Sequence, residues 1–168
     1  ALGGGLLPIG ACISTAAVYN DDFACKHTST FAGNTLACRA GLATLDLLEE
    51  NKGALIAHVA ETGARLKEAL RSLERRYPGL IGEVRGRGYL LGIRFGLDRH
   101  NVDDGLLGYL GEQEALTALV VSHLLDVEGV RVGYTLNQGG VLRVEPPLTA
   151  GWEECQFFLQ ALERVLQR

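Results

Sequence analysis

The segment Thr28-Ser29-Thr30-Phe31-Ala32-Gly33-Asn34 offers three hydroxyls, a glycine and, just beyond, the free backbone N–H groups that open a helix. Those are donors suited to a phosphate, and a helix dipole favours negative charge at the same place. Hydroxyls and asparagine before a helix are also ordinary capping material, so both readings stand at this point. A second candidate is Arg143 in Val141-Leu142-Arg143-Val144-Glu145, where strand alternation puts Leu142 and Val144 on one face and Arg143 with Glu145 on the other. Its guanidinium is either a solvated charge or a fork presented to a substrate carboxylate. Arg85-Gly86-Arg87-Gly88 divides in the same way between an anion site and surface charge at a bend.

Other chemistry finds little support. His27, His58, His100 and His123 have neither HExxH nor His-x-His spacing, and Cys12, Cys25, Cys38 and Cys155 form no CxxC pair. Neither a metal site nor a dense disulfide framework is expected, and a reducing, cytoplasmic compartment is the default. No serine sits in a GxSxG elbow. Gly3-Gly4-Gly5 has no Lys-Ser/Thr after it and completes no dinucleotide fingerprint.

The elements that must position these groups follow from periodicity. After the glycines, Leu6 to Ser14 alternates apolar residues and reads as a short buried strand. Asn20 to Asn34 is polar and small. From Asn34, an N-cap residue, Leu36, Leu42, Leu45 and Leu48 mark a helix, and Gly53 interrupts it. A second helix carries Leu55, Val59, Leu66, Leu70 and Leu73 on one face and stops at Tyr77-Pro78-Gly79. Ile81 to Phe95 reads as a strand with Tyr89, Leu91, Ile93 and Phe95 on one face, and Gly86 and Gly88 allow a bend or bulge. Gly96 to Gly111 is a loop and Glu112 to Val127 a third helix. Two short strands, Val130 to Thr135 and Val141 to Glu145, join through Asn137-Gln138-Gly139-Gly140. After Pro146-Pro147, with Thr149 as the cap, a last helix turns Cys155, Phe158, Leu159, Leu162, Val165 and Leu166 inward. From Gly79 onward the order is that of a small α+β domain.

The 168 residues are 47% apolar and 21% charged, which fits a globular chain and excludes a disordered one. Sixteen basic against 20 acidic side chains give −4, so nucleic acid and anionic membranes are not expected partners. No apolar run approaches the length of a membrane span. Methionine is absent, and a chain opening on Ala1-Leu2-Gly3 is expected to be a fragment or processed product.

Together the segments resemble the class III aminotransferases, the pyridoxal-phosphate enzymes of fold type I. Four stretches carry the match in order: Ala1 to Gly5 with Pro8-Ile9-Gly10-Ala11; His27 to Phe31 through Asn34 and Leu36-Ala37-Cys38; Arg85 to Gly88; and Val141 to Pro147 with Leu148-Thr149. Gly10-Ala11-Cys12-Ile13 and Thr135-Leu136-Asn137 look closest to the putrescine (diamine) branch. The resemblance implies the end of an α/β cofactor domain over residues 1–50. It implies a connecting helix and a small α+β domain with a short, largely antiparallel sheet over residues 51–168. It implies pyridoxal phosphate as cofactor and an amino group passed from an amine or amino acid to a 2-oxo acid such as 2-oxoglutarate. It further implies a homodimer in which Thr30, with Ser29 beside it, reaches the partner's cofactor phosphate, while Arg143 grips the α-carboxylate of the substrate. The family's Schiff-base lysine would immediately precede Ala1, and Lys26 and Lys52 match no such position, so the 168 residues alone are expected to be inactive. A non-catalytic module that completes a partner's site, and an aminomutase or decarboxylase of the same fold, are the competing readings. Ala32 and Thr35 depart from the Gly and Pro that the family often has there.

Overall fold

The computed structural model describes residues 2–26, 29–96, 115–135 and 140–167. His27, Thr28, His100, the expected loop over 97–111, residues 112–114 of the third helix and turn residues 136–139 lie outside them. The chain divides into two compact units, Ala1–Ala54 and Leu55–Arg168.

In the first unit the Leu6 and Leu7 N–H groups both donate to the Gly3 carbonyl, making a tight turn. The expected strand over Leu6 to Ser14 does not form. These residues are irregular, and Leu6 and Ile13 are 85% and 96% exposed. Alternating apolar residues become a strand only where a neighbour takes up the backbone N–H and C=O groups, and the described residues of this unit include no other strand. The polar stretch after it instead contains helix α1, Asp21–Lys26. The Asn20 side chain caps it by accepting from the Phe23 N–H at 2.8 Å.

Helix α2, Thr35–Arg76, starts where Asn34 predicts, with the Asn34 Oδ1 accepting from the Ala37 N–H at 3.0 Å. Its backbone leaves the helical region from Glu50 to Gly53, with positive φ at Asn51, Lys52 and Gly53. Thus the interruption expected at Gly53 begins three residues earlier. A lysine in the left-handed region is uncommon, and here it is flanked by the two residue types that tolerate that region best.

The second unit is a four-stranded antiparallel sheet, order β1-β2-β4-β3, with strands β1 (Ile81–Arg87), β2 (Leu90–Phe95), β3 (Gly133–Tyr134) and β4 (Val141–Val144). The single strand expected over 81–95 is therefore a hairpin. Gly88, at φ +55, takes the first of its two turn positions, and a Cβ on Gly86, at φ +123, would stand 2.1 Å from the Leu90 carbonyl oxygen. The chain can reverse there because these two positions carry no side chain. A bulge between Ile81 and Glu83 explains why Ile81 and Val84 are both buried despite their odd spacing.

One face of the sheet carries the core. Leu91, Ile93, Leu142 and Val144 meet Leu66, Leu70 and Leu73 of α2 in one buried cluster. Helices α3 (Leu116–Asp126) and α4 (Trp152–Leu166) complete it with Val120, Leu124, Phe158 and Leu162. At Gly63 helix and hairpin approach so closely that a Cβ would lie 2.5 Å from the Gly88 backbone. Thr149 is not the cap of α4: Gly151 holds that position, and Glu154 reaches back to accept from the Gly151 N–H at 2.9 Å.

Candidate functional site

Ser29 and Thr30 lie in the exposed turn before α2. The Ala32 N–H donates to the Ser29 carbonyl at 3.0 Å, and the Asn34 N–H donates to the Phe31 carbonyl at 3.2 Å with Gly33 at φ +69. The Ser29 Oγ accepts from the Phe31 N–H at 3.3 Å, which leaves its own O–H free to donate elsewhere. The Thr30 hydroxyl has no partner among the described residues. Capping of the helix falls to Asn34, so the two ways of reading the hydroxyl cluster separate by residue. Thr35 opens the helix at the position where proline is favoured, and Ala32 keeps an ordinary φ beside Gly33. Neither departure distorts the turn.

Arg143 stands on β4 with its neighbours Leu142 and Val144 buried at 0% and 4% and its own side chain exposed. The alternation is as the sequence predicts. Its Nη2 donates to both oxygens of Glu145, at 2.6 and 2.5 Å. This hydrogen bond and the charge behind it raise the guanidinium above its usual pKa. The pair is half-exposed, so water and a competing carboxylate can both reach it. A cavity of about 350 Å³ opens at the end of β4, walled by Leu66, Val144 and Phe158 and also by Arg131 and by Glu145, the partner of Arg143. Arg143 itself is exposed, so a carboxylate can reach it from solvent. Thr30 belongs to the first unit and Arg143 to the second.

The histidines and Tyr89 gave no sequence signal, yet two of them converge. Tyr89 in the hairpin turn donates its hydroxyl to the Ala150 carbonyl at 2.6 Å, and His58 Nε2 lies 2.8 Å from the same oxygen. Helix α2, the hairpin and the approach to α4 are tied at one atom, a meeting that only tertiary contact creates. Burial pushes the Tyr89 phenol above its ordinary 10.0 and the Cys155 thiol above its ordinary 9.0. The folded protein holds both protons to higher pH than the unfolded chain does. Stability is thus complete below about pH 9 and declines as pH rises through the unfolded values. The urea midpoint is expected to be lower at pH 10.5 than at pH 8, and Cys155→Ser with Tyr89→Phe should flatten the dependence; equal midpoints in the wild type would contradict it.

Among the described residues, no group of three His, Cys, Asp or Glu side chains could hold a metal, and no helix is long and apolar enough to cross a membrane.

The profile of the family described as Aminotransferase class-III matches residues 1–166. An amine transaminase from an uncultivated Pseudomonas species, solved in its PLP-bound form, shares 29% identity and a TM-score of 0.65 over 85% of this chain and 30% of its own. A phospholyase from Arthrobacter, in complex with phosphoethanolamine, shares 28% and 0.67 over 88% of this chain and 32% of its own. The adenosylmethionine-8-amino-7-oxononanoate aminotransferase of Methanocaldococcus jannaschii shares 28% and 0.62 over 84% and 30%. The chain spans about a third of the length of these solved relatives.

Proposed function

This chain belongs to the class III aminotransferases, and from that premise we propose that it is part of a pyridoxal-phosphate-dependent transaminase. The enzyme moves an amino group from an amine or amino acid, such as putrescine or an ω-amino acid, to a 2-oxo acid such as 2-oxoglutarate. The observation that carries this reading is Arg143, held by β4 on the accessible face of the sheet with a carboxylate already in its fork.

Pyridoxal phosphate, when bound, supplies the electron sink that labilises bonds at the amino-bearing carbon. Thr30 fits a phosphate donor, being an exposed hydroxyl without a partner among the described residues, and Ser29 retains one O–H for the same task. Arg143 binds and orients the substrate carboxylate. In this reading residues 1–50 close a cofactor domain and residues 51–168 form the connecting helix and small domain. The enzyme is a cytoplasmic homodimer, and Thr30 serves the partner's cofactor. Leu6, Ile13, Phe31 and Leu36, all more than half exposed, suit burial against such a partner.

None of the three lysines is the Schiff-base residue in this reading. Lys26 is ion-paired to Asp22 at 2.7 Å and Lys67 donates to the Gly86 carbonyl at 2.8 Å. Lys52 sits in the break of α2. Borohydride reduction of this chain with pyridoxal phosphate should leave no stoichiometric pyridoxyl label on Lys26, Lys52 or Lys67; such a label on one of them would overturn this assignment.

A second reading, a lyase of the same fold, is favoured by the likeness to the phospholyase. The full-length protein supplied with pyridoxal phosphate, putrescine and 2-oxoglutarate is expected to form glutamate, with 4-aminobutyrate and ornithine as alternative donors. Phosphate release from phosphoethanolamine without glutamate formation would establish the lyase instead, and absence of both activities would leave a non-catalytic module.

A further inference from the structure

On the reading of Arg143 as the carboxylate clamp, we propose that Arg131 is a positioning residue: it takes up the Glu145 carboxylate when a substrate carboxylate enters the fork of Arg143.

The clamp is already filled. Both Glu145 oxygens accept from Arg143 Nη2, at 2.6 and 2.5 Å, so an incoming carboxylate must displace an internal one. A displaced carboxylate left beside the newcomer repels it. A second cation that draws Glu145 aside removes that repulsion.

The sheet supplies such a cation. Gly133 of β3 pairs with Arg143 of β4, and Tyr134 pairs with Leu142. Carried two residues past Gly133, the same register sets Arg131 opposite Glu145, and residues facing each other across antiparallel strands hold their Cβ atoms about 5 Å apart on one side. The cavity at the end of β4 brings the two together independently, since both stand in its wall. Arginine and glutamate side chains are long enough to meet across that separation.

Arg131 is exposed and makes no hydrogen bond or ion pair among the described residues. It is also the one cation among the residues that wall the cavity. The other carboxylate there, Glu154, already accepts from the Gly151 N–H at 2.9 Å. Room for the exchange exists as well. A Cβ on Gly133 would meet nothing within 4 Å, so β3 leaves the space beside Arg143 open on the side toward Arg131. One guanidinium–carboxylate pair before the substrate enters becomes two afterwards, Arg143 with the substrate and Arg131 with Glu145.

The test is calorimetric titration of the full-length protein with 2-oxoglutarate, with kcat measured alongside. The proteins compared are the wild type, Arg131→Gln, Arg131→Lys, Glu145→Gln, the double variant Arg131→Gln with Glu145→Gln, and Arg143→Gln. Arg131→Gln should weaken binding about two- to fivefold, the range of an exposed ion pair, and leave kcat unchanged. Arg131→Lys keeps a cation for Glu145 and should bind nearly as the wild type does. In the Glu145→Gln background Arg131→Gln should have no effect, because no carboxylate is left to receive. If Arg131→Gln weakens binding by the same factor in both backgrounds, or in neither, while Arg143→Gln weakens it, the assignment of Arg131 is wrong and the clamp stands. If Arg143→Gln changes nothing, or the wild type does not bind 2-oxoglutarate, the clamp itself is wrong and the role of Arg131 falls with it.

Discussion

Arg143→Ala is expected to lower kcat/KM for the 2-oxo acid on the order of a hundredfold, two charge-assisted hydrogen bonds being lost at once. The loss should fall on KM for the acceptor more than on turnover, because the guanidinium orients the carboxylate equally before and during the reaction. Glu145 adds a second component. It now fills the fork at 2.5 and 2.6 Å, and when Arg143 is removed it remains as an uncompensated negative charge where the substrate carboxylate must lie. Arg143→Ala combined with Glu145→Ala should therefore be less impaired than Arg143→Ala alone. Glu145→Gln by itself should lower KM, since the substrate no longer displaces an internal carboxylate. Steady-state kinetics on the full-length enzyme with 2-oxoglutarate as the varied substrate check all three; an unchanged KM in Arg143→Ala would remove the clamp from the mechanism.

The largest effect on stability is expected from Ile93→Ala. Ile93 is 0% exposed on the strand between β1 and β4, paired with Val84 on one side and Leu142 on the other. Truncation there removes the apolar transfer term and leaves a cavity that neighbours on three elements can only partly refill, about 2–5 kcal/mol in all. That is a large share of the 5–15 kcal/mol by which domains are typically stable. Ile13→Ala, at a position 96% exposed, should change stability by less than about 0.5 kcal/mol. Urea unfolding followed by far-UV circular dichroism separates them, and a loss below about 1 kcal/mol for Ile93→Ala would mean that the core side of the sheet is loosely packed.

The contrast between these two isoleucines shows what periodicity can and cannot say. Both lie in apolar alternations that read as strand. Ile93 has strands on both sides to satisfy its backbone and helices to cover its side chain. Ile13 has neither among the described residues of its unit, and its run stays irregular. Alternation records a demand for burial, and burial depends on what else is there. The single strand expected over 81–95 failed for a related reason. Its face pattern is correct, but Gly86 and Gly88 permit a full reversal as readily as a bend, and only pairing with β4 decides between them.

Determined by sequence alone were the features that depend on residues close along the chain. Asn34 as cap, an interruption at Gly53, the stop at Pro78 and the outward turn of Arg143 each follow from local backbone geometry or from side-chain period. The motifs that mark the family are of the same kind. Tertiary structure alone decided which distant residues meet. The row Arg85, Gly92, Arg143 exists because two antiparallel registers coincide at Gly92. Tyr89 and His58 share the Ala150 carbonyl because helix, hairpin and the last turn before α4 pack on one core. Register and packing are set by the summed burial of many side chains across the sheet, a quantity that no short stretch of residues contains.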